Sequence, residues 1–297
     1  MGKSCSACDV VYDRGYFSQS QWTKPVGTGR CIDCVNQGRL VTNNDSETAR
    51  KNESSRATFT NDALKHPFSQ GTFRWVAKGK YDNGPRNGQD CVCKWFKDGH
   101  VMEREFFDLD IKAMHKALDL VQAWNIKKFV SQVIRVNMPA VWQFEDGSGP
   151  WAGNLVLQEP FIANYQKFNS NSGWADSSTA WPQLMQALSH FSYHTSAGQF
   201  VLCDLQGGIY SNGVILTDPV ILSQNKQYGI TDLGPKGISS FFSNHTCNQY
   251  CRSNWNKPAD QTRYHSAQMG TSMAGSAMPP VPNRHSRPAM SAVNKYY

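Results

Sequence analysis

The segment FVLCDLQGGIYSNGVILTDPV, residues 200–220, constrains the fold more than any other stretch of the chain. Val201, Leu202, Cys203 and Leu205 form a short apolar run, the mark of a buried strand. Asp204 and Gln206 stand at its end, two apart, so the strand period aims both side chains the same way. The chain is expected to turn at Gly207-Gly208 and again at Asn212-Gly213, a dipeptide suited to a type I′ hairpin. It returns through Val214, Ile215 and Leu216 to Asp218, just before Pro219. An aspartate delivered by an apolar strand must be paired, hydrogen-bonded or metal-bound, because bare burial of its charge is strongly unfavourable. Two carboxylates and an amide on one hairpin can hold a hard cation through oxygen; they can equally well cap turns.

At the start, Cys5-Ser-Ala-Cys8 and Cys31-Ile-Asp-Cys34 have the layout of a zinc ribbon, each pair supplying two thiolates to one tetrahedral ion. Tyr12, Tyr16, Phe17 and Trp22 between them give apolar surface to pack around that metal, so residues 1–36 are read as a zinc-ribbon-like module. The opening MGKSCSACDV lacks the apolar core of a secretory signal, and the nine cysteines fit thiols and metal ligands of a reducing compartment. The expected location is intracellular, cytoplasmic or nuclear. Gly2 and Ser6 also match an acylation pattern, but lipidating Cys5 would remove a zinc ligand. No apolar run approaches ~18 residues, so no membrane span is expected. The net charge of +7 is too diffuse to argue for a nucleic-acid surface.

Residues 37–65 are polar and without sustained period, and read as a flexible linker. β-Rich sequence follows. In the strand from Asp90 to Lys97, Val92, Lys94 and Phe96 share one face, with Cys91, Cys93 and Trp95 on the other. A lysine amid such residues needs a counter-charge or a phosphate, unless it snorkels to the surface. Residues 108–129 read as a helix with Asp108 or Asp110 as N-cap. Val133 to Phe144 reads as strand, and Leu155 to Leu157 as a buried strand interrupted at Glu159-Pro160. Trp181 to Ser192 is again helical and contains His190. A glycine-rich loop (Gly229, Gly234, Gly237) precedes His245, Cys247 and Cys251, which with His190 are metal-ligand types; buried structural cysteines fit the pattern as well.

The order CVCKWF, LQEPFIANYQKFNSNSG, ALSHFSYH, VLCDLQGG, LTDP, YGITDLGPKG and HTCNQYC resembles the alpha-kinases, atypical protein kinases that include myosin-heavy-chain, elongation-factor and channel-linked enzymes. The resemblance runs from about Phe68 to Trp255 and implies an α+β, two-lobed kinase-like fold, with a mostly β N-lobe and a zinc-containing C-lobe. It divides the chain into an alpha-kinase domain at 66–256 (N-lobe about 66–156, C-lobe about 157–256) and a disordered tail at 257–297 with sites for self-phosphorylation. The N-terminal CxxC pairs lie outside it, as in fungal-type proteins that carry small cysteine modules. The implied activity is transfer of the γ-phosphate of ATP to a serine or threonine of a protein substrate. By resemblance, Lys94 grips the ATP phosphates and Glu159 stands at the adenine pocket. Asp204 serves as base or orienter of the accepting hydroxyl, and Gln206 and Asp218 are the Mg²⁺ ligands. Gly229, Gly234 and Gly237 approach the peptide, and His190, His245, Cys247 and Cys251 bind the C-lobe Zn²⁺. Asp119 is the helix residue offered as a partner for Lys94. The rival reading is a catalytically weak kinase-like scaffold whose N-terminal zinc module binds protein or nucleic acid. The presence of Lys94, Asp204, Gln206 and Asp218 together argues against it.

Overall fold

The computed structural model describes residues 2–4, 11–12, 14–26, 28–30, 48–97, 103–176, 178–274 and 293–295. Near the start, β1 (Lys3–Ser4) pairs antiparallel with β2 (Val11–Tyr12), and the short helix α1 (Gln19–Trp22) follows. The Lys3 ammonium donates to the carbonyls of Gln21, Trp22 and Lys24, satisfying acceptors that the end of a helix leaves free. Cys5, Cys8, Cys31 and Cys34 lie outside the described residues, as do residues 37–47 of the expected linker.

The described chain continues from Thr48, well before residue 66. β3 (Ala49–Arg50), β4 (Arg56–Thr58) and helix α2 (Asn61–Lys65) all fall where the polar composition predicts a linker. Ala57, Phe59 and Leu64 are buried in one core with Tyr81, Cys93 and Trp142. Asn52 donates to the Gln158 carbonyl at 3.0 Å and accepts from the Tyr81 hydroxyl. The order of this segment rests on contacts with residues far along the chain, which leave no local period to read.

The first lobe is a sheet built around a hairpin. After β5 (Ser69–Gln70), β6 (Arg74–Tyr81) pairs antiparallel with β7 (Asp90–Phe96). On β7 the strand period holds: Cys91, Cys93 and Trp95 enter the core, while Val92 and Lys94 face a cleft. Helix α3 (Glu105–Lys127) buries Phe107, Met114, Ala117, Val121 and Trp124, close to the expected span. Its cap differs: Arg104 holds the N-cap position, leaving Asp108 in the first turn, where its charge complements the helix dipole.

The expected single strand 133–144 divides at Met138-Pro139. β8 (Val133–Asn137) joins the second lobe and β9 (Ala140–Phe144) the first. β10 (Leu155–Pro160) then runs between β9 and β7, without the expected break at Glu159. Glu159 pairs with Val92 and Pro160 with Cys91, so the missing proline N–H falls at the last pair.

The second lobe comprises β11 (Tyr165–Lys167), α4 (Ala180–Thr195), β12 (Phe200–Cys203), β13 (Gln206–Tyr210), β14 (Gly213–Leu216), β15 (Val220–Ser223) and α5 (Gly234–Asn244). Its main sheet has the order β11-β13-β14-β8-β3, and β12 pairs β15 in a separate ribbon. β16 (Val293–Lys295) pairs with β9 and β4 of the first lobe. In the core, the Trp124 ring meets Phe129, Phe191 and Trp255 at centroid distances of 5.0, 5.4 and 6.2 Å. Among the described residues no helix is long and apolar enough to cross a membrane.

Gly207 and Gly208 do not turn the chain. Both sit within β13, paired with β11 on one side and β14 on the other. A Cβ on Gly207 would lie 1.9 Å from the Ile215 carbonyl oxygen, so close backbone approach is what demands glycine. The one turn is Ser211-Asn212, a residue earlier than expected; neither residue has positive φ, so it is not type I′.

A chain beginning at residue 66 should be less stable than one beginning at 48 by ~3 kcal/mol or more in urea titration, since burying a side chain such as Phe59 or Leu64 is worth about 1.5–3 kcal/mol. Equal midpoints would return residues 48–65 to the status of a linker.

Candidate active site

The site begins with two breaks in one hairpin. The path from β12 to β13 is interrupted at Asp204 and the path from β14 to β15 at Asp218, at the same level. Both aspartates adopt left-handed backbone, φ 56° and 46°. Aspartate tolerates that region better than bulky residues do, and strained backbone of this kind gathers at functional sites. The breaks shift the hairpin from one sheet to another and turn both side chains into a cleft of about 600 Å³ between the lobes.

Lys94 faces them from β7 and is 5% exposed, so it does not snorkel. The ladder sets Leu157 opposite Lys94 and Glu159 opposite Val92, which makes Glu159 a diagonal neighbour on the same face. The Lys94 ammonium ion-pairs with Glu159 and with Asp218, and donates to the Thr217 hydroxyl at 3.2 Å. Thr217 in turn donates to the Glu159 carboxylate at 2.9 Å. Burial works against the lysine charge, but Asp218 and Glu159 overcome it and hold its pKa above the ordinary value. Burial pushes the Glu159 pKa up against the pull of Lys94. For Asp218 desolvation is outweighed by Lys94, and its pKa is lowered. Asp119, the expected helix partner, pairs with Lys116 instead.

Asp204 is almost wholly buried. Its Oδ1 lies 3.0 Å from the Lys167 ammonium, and its Oδ2 accepts from the Thr271 hydroxyl at 2.8 Å. Burial raises its pKa, with Lys167 opposing. The Gln206 amide nitrogen donates to the Asp218 carbonyl, while its Oε1 accepts from the Tyr165 hydroxyl at 2.6 Å and from Lys167 at 3.4 Å. Asn169 accepts from the Leu205 backbone N–H at 2.8 Å, pinning the break beside Asp204. The site thus assembles Lys94, Glu159, Asp204, Gln206 and Asp218. Lys167 and Thr217 escaped the sequence reading. Tyr165 and Lys167 stand two apart on β11, and that spacing was the available signal.

The three glycines are not one loop. Gly234 and Gly237 belong to the first turn of α5, where a Cβ on Gly237 would meet the Leu233 Cβ at 2.6 Å. Gly237 therefore serves helix packing and does not face the cleft. Asp232 anchors this helix start, accepting from the N–H groups of Gly234 and Ser223 at 3.0 and 2.8 Å.

Away from the cleft, one ligand atom each from His190, His245, Cys247 and Cys251 lie within 4.8 Å of one another. His190 Nδ1 is 3.1 Å from His245 Nε2 and 3.6 Å from Cys247 Sγ, and Cys251 Sγ is 3.7 Å from His245 Nε2. A tetrahedral zinc with ordinary bond lengths sets N···N near ~3.3 Å and N···S near ~3.6 Å, so the donor set fits that ion. The other ring nitrogen of His190 meets the Asn256 carbonyl at 3.0 Å, the outer contact that orients a metal-bound imidazole. Burial lowers both histidine pKa values, to about 4 and about 3, keeping the rings neutral as ligation requires.

The model of the Alpha-kinase family matches residues 69–251, more than half of the chain. The chain belongs to the alpha-kinase family. It is 42% identical over 96 residues to alpha-protein kinase vwkA of Dictyostelium discoideum, covering 32% of this chain and 15% of that protein. It is 39% identical over 197 residues to eukaryotic elongation factor 2 kinase of Caenorhabditis elegans, covering 64% of this chain and 24% of that one. The chain therefore spans less than a third of the length of either relative. A solved alpha kinase of Entamoeba histolytica shares the fold with a TM-score of 0.57 at 18% identity, over 76% of this chain and 100% of that one. The alpha-kinase domain of myosin-II heavy chain kinase A, solved in complex with AMP-PNP, has a TM-score of 0.54 at 24% identity, over 67% and 94%. After this alpha-kinase domain the tail departs from expectation: residues 257–274 are described and meet the second lobe, whereas 275–292 and 296–297 lie outside the described residues.

Replacing Cys247 and Cys251 together by serine should remove one zinc per chain in elemental analysis and unfold the second lobe, because a structural zinc contributes folding energy directly. Unchanged zinc content would remove the metal from this cluster.

Proposed function

We propose that this protein is an ATP-dependent serine/threonine protein kinase that transfers the γ-phosphate to a protein hydroxyl. The observation that carries the reading is the buried Lys94 ammonium, held by Glu159 and Asp218 and facing Asp204 within one cleft. Phosphoryl transfer asks the protein mainly for position and charge. Lys94 supplies a positive charge for the phosphates, and Glu159 keeps that charge in place where the cleft wall turns apolar through Val76, Leu157 and Phe161. That wall suits an adenine ring, and the complex of the related kinase domain with AMP-PNP supports ATP as the nucleotide. Asp204 takes up or orients the proton of the accepting hydroxyl, and Lys167 steadies the carboxylate. Gln206 and Asp218 offer oxygen ligands to Mg²⁺, which when bound spreads the charge of the phosphates. Gly229, in the segment before α5, lies between Tyr228 and Thr231, which line the cleft, and in this reading that segment approaches the peptide.

The C-lobe set of His190, His245, Cys247 and Cys251 holds a structural Zn²⁺ in this proposal. Cys5, Cys8, Cys31 and Cys34 hold a second and form a module that recruits a protein partner, within an intracellular protein.

Asp218→Ala should lower transfer from labelled ATP to a Thr-containing peptide by about 100-fold to 1000-fold while leaving the protein folded, the usual cost of one strong electrostatic group in a preorganised site. Lys94→Ala should weaken nucleotide affinity as well as turnover. If Asp218 only capped a turn, its removal would lower Tm by a few degrees and spare turnover per folded molecule.

The pH profile of kcat tests Asp204. A base works ionised, and burial raises its pKa, so activity should fall on acidification at a pH above the ordinary 3.8. Lys167→Met removes the opposing charge and should move that acid limb to still higher pH. An unmoved limb would detach Lys167 from the base.

A further inference from the structure

Besides helix α3, three short stretches carry the described chain between the lobes. Residues 51–55 lead from β3 in the second lobe to β4 in the first. Met138-Pro139 leads from β8 to β9, and residues 161–164 lead from β10 back to β11. The first of these crossings belongs to the segment whose composition predicts a linker, and it is pinned on both sides. Asn52 donates to the Gln158 carbonyl at 3.0 Å, and the Lys51 carbonyl accepts from the Arg86 guanidinium at 2.7 Å.

Arg50, at the end of β3, is tied to all three crossings. Its backbone carbonyl accepts from the Met138 N–H at 2.9 Å. One terminal nitrogen of its guanidinium donates to the Phe161 carbonyl at 2.9 Å and to Asn137 Oδ1 at 3.3 Å. Asn137 is fully buried and lies opposite Arg50 in the parallel ladder. With its oxygen held by Arg50, its amide nitrogen is aimed at the Pro160 carbonyl, to which it donates at 2.7 Å. Burial works against the guanidinium charge and lowers its pKa, a cost offset by hydrogen bonds from a charged donor.

Pro160 and Phe161 line the cleft. Phe161 is held from both lobes: its N–H donates to the Asp90 carbonyl of the first at 3.1 Å, and its carbonyl accepts from Arg50 of the second. Its ring is held as well, with the Lys78 ammonium 4.1 Å from its centroid and the Phe68 ring at 6.2 Å. A guanidinium behind the cleft wall thus fixes the place of a residue on its front.

We propose that Arg50 is a positioning residue of the nucleotide site, acting through the Phe161 and Pro160 carbonyls to hold the wall that receives the adenine ring. This deepens the kinase reading above and rests on it. Because Arg50 acts through the wall, its contribution falls on the adenosine part of the nucleotide and leaves the phosphate side, built on Lys94, as it is. Ground and transition states share the contact with adenine, so the contribution belongs to KM and not to kcat.

The full chain and its Arg50 variants are titrated with adenosine and, in the presence of Mg²⁺, with ATP, and KM and kcat are measured on a Thr-containing peptide, all per folded molecule. Arg50→Met should weaken adenosine and ATP by the same factor, about tenfold, the scale of one hydrogen bond to a charged group. KM for ATP should rise to match, with kcat kept within about twofold. Arg50→Gln, uncharged and two bonds shorter, should behave likewise and takes the place of the methionine variant if that one does not fold. Arg50→Lys, one bond shorter and still a charged donor, should recover most of the affinity. Unchanged adenosine affinity in the uncharged variants would overturn the proposal, whether or not ATP binds more weakly. A loss confined to kcat, or a lysine variant no tighter than the uncharged ones, would overturn it as well. Each of these outcomes leaves the kinase reading standing, because the unaltered chain still binds ATP and transfers phosphate. An unaltered chain that binds neither adenosine nor ATP would overturn both.

Discussion

A single buried ammonium organises the cleft. Lys94 sits in the middle of a strand whose other face is core, and a lysine charge out of water is tolerable only with partners at hand. Two carboxylates meet it, Glu159 from the neighbouring strand and Asp218 from the other lobe. The first contact is set by sheet register and the second by how the lobes pack, so one cation joins the secondary structure of one lobe to the tertiary arrangement of both. The charge opposes itself to burial and is retained only because the pairs overcome that opposition.

The broken hairpin is the complementary device. Unbroken strands would alternate their side chains between two faces and leave Asp204 and Asp218 where the pleat put them. Left-handed backbone at both positions interrupts the pleat at one level and delivers two carboxylates to one side. Asn169 and Asn171, from the loop after β11, support this arrangement with side-chain hydrogen bonds to backbone at Leu205 and Ser272. Fixed donors and acceptors of this kind are what preorganisation consists of, since nothing need reorganise when charge moves.

Much of this was legible in the chain itself. Alternation on β7 placed Lys94 opposite the core face, and the three-and-four spacing of Ile111, Met114, Leu118 and Val121 marked the long helix. The metal-ligand types at His190, His245, Cys247 and Cys251 come from separate segments, and the fold draws them together. What could not be read depended on distant partners. Gly207 and Gly208 look like a turn to a local reading, and only the close approach of Ile215 and Ala163 shows why a strand needs them. A helix residue, Asp119, is the expected partner of Lys94, but Glu159 reaches the lysine through register, which two unaligned strands do not disclose. Residues 48–65 and 264–274 are polar and aperiodic, and both are ordered by side-chain hydrogen bonds to residues remote in sequence.

The most direct test of the central claim is a crystal structure with a non-hydrolysable ATP analogue and Mg²⁺. The account predicts the triphosphate on the Lys94 ammonium, Glu159 still paired with that lysine, and the metal between the phosphates and the side chains of Gln206 and Asp218. A nucleotide bound elsewhere, or one in the cleft with Lys94 still closed on Asp218 and out of reach of the phosphates, would contradict it.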